Sequence, residues 1–278
     1  FRIVAELGRG GMGTVYLAEA TEPVPGMPAE SQVALKLFHR HLSGDPETER
    51  RFLQEAQLGA RLDSEHVVRT FGAGTADVKG QGPVRWLSME FVRGQTLREL
   101  LREIGPFPEP LALLLARQAG QAPASIHDAG IIHRDVKPEN LLVTADHRLK
   151  LMDLGVARIQ EASLRLSHTG ESLDSLPYAA PEQFDGTRVV DGRADIYSLG
   201  IMAYKMTTGR CPFEDADPYV ILKRHLRDPI PPAKDLNPKV PDDLNRFMIK
   251  ALEKEREKRY QNCADIIRDL TPRESTML

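Results

Sequence analysis

Strand-like patterns fill the first third of this 278-residue chain and helical patterns fill the rest, a segregation that limits the fold more than any other feature. Phe1–Leu7 is an extended run that ends in glycines, Thr14–Glu19 alternates small and apolar residues, and Val33–Phe38 and Trp86–Val92 are β-branched or apolar. Turn-rich stretches at Thr21–Gln32 and Ala73–Pro83 interrupt them. One helix is expected in this part, over Glu47–Leu62, with Asp45 as its cap and Pro46 in its first turn. Beyond Thr96 the apolar residues of Leu97–Glu103, Pro110–Ala129, Ile196–Thr207, Tyr219–Leu226 and Pro241–Glu253 recur at helical spacing. Pro123 falls inside the second of these and is expected to kink it. The reading is α+β: a small sheet lobe with one helix over residues 1–92 and a larger helical lobe over residues 93–278.

Composition removes several functions. The 37 Lys and Arg against 40 Asp and Glu leave a net charge of −3, so no basic excess points to nucleic acid. With 28% charged and 41% hydrophobic residues the chain is not of the disordered class. The longest apolar clusters, such as Leu111–Ala116, fall far short of the roughly 20 residues of a membrane span, so no membrane contact by this segment is expected. Two cysteines, Cys211 and Cys263, are too few for a disulfide scaffold and lack metal-ligand spacing, which suggests a reducing, cytoplasmic setting. The chain opens on a patterned segment without an initiator Met or signal peptide. It therefore reads as a domain of a longer protein, with the cytosolic part of a membrane-anchored protein as one form.

Three stretches carry chemistry. Gly8-Arg9-Gly10-Gly11-Met12-Gly13-Thr14-Val15 lies between two expected strands, where glycines let backbone N–H groups approach phosphate oxygens; alone it reads equally well as a plain hairpin loop. A strand follows it rather than a helix, so it is not a dinucleotide fingerprint. Val33-Ala34-Leu35-Lys36 puts a lysine on a buried strand, where a charge needs a partner, and Glu55 on the following helix can supply it. His133-Arg134-Asp135-Val136-Lys137-Pro138-Glu139-Asn140 precedes Met152-Asp153-Leu154-Gly155, with apolar strands Leu141–Val143 and Leu149–Leu151 between. A hairpin there would bring Asn140 and Asp153 together as oxygen ligands for a hard cation such as Mg²⁺ with phosphate. Asp135 is then free to act as base or orienter for a hydroxyl.

With these residues in order, followed by Ala180-Pro181-Glu182 and Asp195-Ile196-Tyr197-Ser198-Leu199-Gly200, the chain resembles a eukaryotic-like (Hanks-type) protein kinase catalytic domain over nearly its whole length. Gln183 after Glu182, the short C-terminal lobe and Lys258-Arg259-Tyr260 resemble the bacterial serine/threonine kinases most. The resemblance implies the two-lobed kinase fold with an antiparallel N-lobe sheet, and transfer of the γ-phosphoryl group of ATP, with Mg²⁺ or Mn²⁺, to Ser or Thr hydroxyls of a protein substrate. Lys36 would grip the phosphates and pair with Glu55, Asn140 and Asp153 would hold the metal, Asp135 would orient the hydroxyl, and Lys137 would neutralise the γ-phosphate. Gly8, Gly10 and Gly13 would cover the phosphates. Leu7, Val15 and Ala34 on one side and Leu142 on the other would bound the adenine, with Met89 as gatekeeper and Glu90 and Val92 as hinge. Glu182 and Arg259 would form a buried ion pair, and Asp195 would anchor the catalytic-loop backbone.

The sequence departs from the family at Leu154, which stands for phenylalanine, and at Asp174-Ser175, where Gly-Thr is usual. Ser175 keeps a hydroxyl near Asp135 and Lys137. A pseudokinase scaffold is the alternative reading, disfavoured because Lys36, Asp135, Asn140 and Asp153 are all present; a small-molecule phosphotransferase is the other. Autophosphorylation on the activation segment is expected at Thr169, with Ser167 second, by pairing with the uncompensated Arg134, and a homodimer would serve it in trans. Gly59, one turn beyond Glu55, weakens its helix. It is expected either to leave a gap beside Leu154, so that Gly59→Ala raises basal activity, or only to let a neighbouring side chain come close.

Overall fold

The computed structural model describes residues 1–23, 28–39, 52, 56–78, 82–154, 174–184 and 189–271. The chain divides into two units. The first is Phe1–Arg93 with Met152, Asp153 and Leu154; the second holds Gly94–Leu151 and the described residues from Asp174 onward.

The first unit is built on an antiparallel five-stranded sheet of β1 (Arg2–Arg9), β2 (Gly13–Glu19), β3 (Gln32–Phe38), β4 (Thr70–Val78) and β5 (Gly82–Glu90), in the order β1-β2-β3-β5-β4. Cross-strand partners share a face, so the pairs Ala18–Val33 and Leu37–Trp86 fix one side. That side carries a core of Ala18, Ala20, Val33 and Leu35, covered by Leu37, Phe71 and Trp86. The Phe1 ring meets Trp86 edge-on at 5.3 Å. Val15, Lys36 and Leu87 are opposite one another across β2, β3 and β5, as are Leu17, Ala34 and Met89, and these six point to the other face.

The turn reading of Ala73–Pro83 is corrected: β4 runs through it to Val78 and β5 starts at Gly82. Gly74 belongs to the strand because a Cβ there would lie 2.8 Å from the Trp86 ring, so this glycine makes room rather than a turn. Residues 56–61 form helix α1, and the expected start of that helix at residues 45–47 lies outside the described residues, as does Glu55. Gly59 leaves no gap. A Cβ there would sit 2.2 Å from the Thr70 hydroxyl oxygen, so the close-neighbour explanation holds and the loosened-helix expectation is withdrawn.

In the second unit, α2 (Leu97–Ile104) starts at a capping box in which Thr96 and Glu99 satisfy each other's backbone N–H groups. Then come α3 (Glu109–Asp128), α4 (Arg193–Thr208), α5 (Pro218–Arg227), α6 (Ala233–Leu236), α7 (Asp242–Ala251) and α8 (Cys263–Leu270). α3 continues through Pro123 and packs along α8 and α4. α8 and α6 were not expected from the sequence, nor was the strand β6 (Gly94–Thr96), which joins β7 (Leu141–Thr144) and β8 (Leu149–Leu151) in a small antiparallel sheet. α4 is buried along nearly its whole length and forms the core of this unit. Among the described residues no helix is long and apolar enough to cross a membrane.

Candidate active site

Each unit carries its own group of the expected residues. In the first, the β1–β2 turn is closed by the Gly10 N–H on the Gly13 carbonyl at 2.9 Å. A Cβ on Gly13 would lie 2.4 Å from the Leu37 carbonyl oxygen, so β3 requires glycine there, whereas a Cβ on Gly8 or Gly10 would meet none of the described residues within 4 Å. Nothing in the fold demands the latter two glycines, which suits a loop whose backbone approaches a phosphate. His39, which the sequence reading missed, ties this turn to the end of β3. Its Nδ1 lies 3.1 Å from the Gly11 carbonyl and its backbone N–H donates to the Met12 carbonyl at 3.0 Å. The only sequence signal for it was its position just past Phe38.

Lys36 is buried on β3, and its Nζ donates to Asp153 Oδ1 at 2.9 Å. The expected partner Glu55 lies outside the described residues, so the pair seen is the one with Asp153. Asp153 adopts φ 52°, a left-handed conformation that aspartate tolerates better than most residues. Among the adenine candidates, Leu7 is exposed, Val15, Ala34, Glu90 and Val92 are half-buried, and Met89 is buried. The Glu90 N–H is committed to the Arg69 carbonyl at 2.8 Å and is not available to a ligand.

In the second unit the catalytic-loop candidates converge. Lys137 Nζ donates to the Ser175 hydroxyl at 2.8 Å and lies 3.4 Å from Asp135 Oδ2. The Asn140 amide nitrogen donates to the Asp135 carbonyl at 2.8 Å and to its Oδ2 at 3.2 Å. With its N–H₂ so used, the amide presents its oxygen as the atom that can bind a cation. A carboxylate and an amide oxygen are each donors of the kind that Mg²⁺ or Mn²⁺ takes, so Asp153 in the first unit and Asn140 in the second are each suited to a hard divalent metal by chemistry. Leu142 is half-buried on β7.

Asp195, fully buried on α4, sets the backbone of this loop. Its carboxylate accepts the His133 N–H at 2.9 Å, the Arg134 N–H at 2.7 Å and an approach by His127 Nε2 at 2.7 Å. These bonds hold Arg134 at φ 64°, a conformation that persists only when its surroundings enforce it. Gln183 adds a bond from its amide to the Arg134 carbonyl at 2.9 Å. Arg134 Nε is buried and has no hydrogen-bond partner among the described residues, and burial lowers the guanidinium's pKa against the opposing pull of Asp195.

Glu182 and Arg259 form the expected buried pair, with two bonds of 2.7 and 2.8 Å. The remaining guanidinium N–H groups reach the carbonyls of Glu253, Arg193 and Lys254, so all five donors are met. Thr169 and Ser167 lie outside the described residues.

A profile of the protein kinase domain matches residues 1–269. The chain is 35% identical over 270 residues to a probable serine/threonine-protein kinase of Clostridium perfringens, covering 97% of this chain and 38% of that protein. It is 37% identical over 265 residues to the serine/threonine-protein kinase PknB of Mycobacterium leprae, covering 95% and 41%. Over 266 residues it is 37% identical to PknB of Mycobacterium tuberculosis, again covering 95% and 41%. The chain thus spans about two fifths of the length of these relatives. The chain belongs to the protein kinase family, as a Hanks-type domain of the bacterial serine/threonine kind.

Proposed function

We propose that this domain transfers the γ-phosphoryl group of ATP to Ser or Thr hydroxyls of proteins. The observation that carries the reading is the cluster of Asp135, Lys137, Asn140 and Ser175 in the second unit, where a carboxylate, a cation and a hydroxyl already meet. Residues 1–92 serve as the nucleotide lobe and residues 93–278 as the catalytic and docking lobe. Lys36 binds the α- and β-phosphates, exchanging Asp153 for them in part, and the N–H groups of the turn from Gly8 to Gly13 hold phosphate oxygens. In the first unit Val15, Ala34 and Met89 offer the adenine apolar contact, with Leu7 at the edge and Glu90 and Val92 as hinge; in the second, Leu142 is the apolar candidate. Asp135 orients the acceptor hydroxyl and takes its proton, and Lys137 balances the charge of the transferring group. Asn140 and Asp153 would each offer an oxygen to Mg²⁺ or Mn²⁺, which would neutralise phosphate charge.

The peptide lies along Ser175–Gln183, a segment tied to the catalytic loop at both ends, by Ser175 on Lys137 and by Gln183 on Arg134. The reading extends to autophosphorylation at Thr169 or Ser167, in trans between two copies, with the Nε of Arg134, which has no partner among the described residues, as part of the cationic site that receives the phosphate. It places the domain in the cytosol, where ATP is available and the buried, unpaired Cys211 and Cys263 stay reduced.

The test is incubation of purified protein with labelled ATP and Mg²⁺, followed by mapping of the phosphorylated residues. Wild-type protein is expected to label Ser or Thr. Asp135→Asn, which keeps the shape and removes the carboxylate, should lose at least about a hundredfold in rate. Near-normal transfer by that variant would overturn the assignment.

A further inference from the structure

His225 is completely buried on α5, which packs on the turns Leu176–Tyr178 and Pro181–Gln183 of the peptide segment. Three aromatic rings surround it, with centroids at 5.2 Å (Phe213), 5.7 Å (Tyr197) and 6.3 Å (Phe184). Burial, reinforced by Lys254, pushes its pKa down to about 3, so the imidazole is neutral and carries one N–H. Tyr197, whose own pKa is raised by burial, keeps its proton and lies with its hydroxyl 2.9 Å from Nδ1. With that hydroxyl donating to Nδ1, the imidazole proton sits on Nε2. Nε2 is buried and, among the described residues, has no hydrogen-bond partner at ordinary geometry, although the Pro177 backbone acts on the imidazole as a weaker partner. The backbone group that acts on this imidazole is the carbonyl of Pro177, which can only accept, and so matches a donor at Nε2.

We infer that His225 is a positioning residue for the acceptor peptide: its Nε2–H is aimed at the Pro177 carbonyl and completes that bond when a peptide loads the segment. Buried donors left unmet are rare in folded proteins, and bonds that serve a reaction are often long in the free enzyme and tighten in the complex. Pro177 lies two residues beyond Ser175, whose hydroxyl takes the bond from Lys137, so a shift of this turn reaches the catalytic loop directly. The bond from Lys137 to Ser175 and the turn at Pro177 both lie in the second unit, so His225 acts on the acceptor segment. The inference rests on the kinase reading.

The experiment is steady-state kinetics with myelin basic protein as acceptor, varying acceptor and ATP separately. His225→Phe keeps the ring and removes the donor. Its KM for the acceptor should rise about five- to tenfold with KM for ATP unchanged. His225→Gln, which returns an N–H close to the place of Nε2, should bring the acceptor KM back to within about twofold of wild type. Equal behaviour of the two variants, a parallel rise of both KM values, or no change in His225→Phe overturns the inference. Should His225→Phe not fold, Tyr197→Phe frees the tautomer from the other side and should raise the acceptor KM alone; an unchanged value overturns the inference. Wild-type protein that transfers no phosphate overturns the kinase reading itself, whereas an active wild type with an unaffected His225→Phe overturns only this inference.

Discussion

The ion pairs Arg259–Glu182 and Lys36–Asp153 are built differently. Arg259 and Glu182 are almost completely buried and joined by two bonds, with every guanidinium N–H met by an acceptor. Lys36 meets Asp153 through a 2.9 Å contact in which the aspartate side chain is 38% exposed. A saturated pair has nothing left to offer a ligand and serves the architecture. A pair that opens to solvent on one side can trade its partner for a phosphate or a metal. Burial and saturation thus separate a structural ion pair from a working one, although the two contacts are of similar length.

Replacing the cation by methionine in each pair sharpens the contrast. Lys36→Met should reduce phosphoryl transfer at least about a hundredfold, since a preorganised charge at the phosphates is lost, while the thermal midpoint barely moves. Arg259→Met should do the reverse in kind. It leaves Glu182 buried without its cation, and we expect a stability loss of about 3–5 kcal/mol in chemical denaturation. Arg259→Met combined with Glu182→Leu should recover a good part of it, because the stranded charge is gone. If Lys36→Met unfolds the protein and Arg259→Met only slows it, the distinction between the two pairs is wrong.

Smaller effects test packing and neutral burial in the same two units. Gly59→Ala drives a Cβ to 2.2 Å from Thr70 Oγ1, so about 1–3 kcal/mol of stability should be lost, with Thr70→Ala restoring part of it. Basal kinase rate in Gly59→Ala should be equal or lower; a higher rate would reinstate the loosened helix. In the second unit, His225 is neutral when folded and ionises near 6.5 when unfolded. Between that value and about 3 the unfolded chain binds the extra proton, so stability falls as pH falls through this window. His225→Phe should flatten the acid limb of a stability–pH curve by about 1.4 kcal/mol per pH unit at most. Above about pH 7 the two curves should run parallel.

Much of this was legible in the chain. The run His133–Asn140 followed by Asp153, with two short apolar strands between, specifies a local hairpin, and β7 and β8 pair there. The helices with clean apolar stripes, such as Leu97–Ile104 with its Thr96 cap, announced themselves as well. The failures share one cause. Gly74 and Gly59 read as breakers of structure because a sequence shows a glycine's freedom but not the neighbour that needs its space, here Trp86 and Thr70. The helix Cys263–Leu270 is short, and its buried face of Cys263, Ile266 and Leu270 gains meaning only against α3.

The order and identity of the polar residues by themselves settled the family, the α+β class and the candidates for chemistry, because phosphoryl transfer needs a few fixed groups in a fixed order and local patterns encode strands and helices. The resemblance also gave the Glu182–Arg259 pair and the anchoring Asp195, whereas several other pairings were decided by the tertiary structure alone. Lys36 on Asp153, His39 on the glycine turn and His225 on Tyr197 all join residues far apart in the chain. Such contacts depend on the packing of whole elements, whose register and distance no local pattern contains.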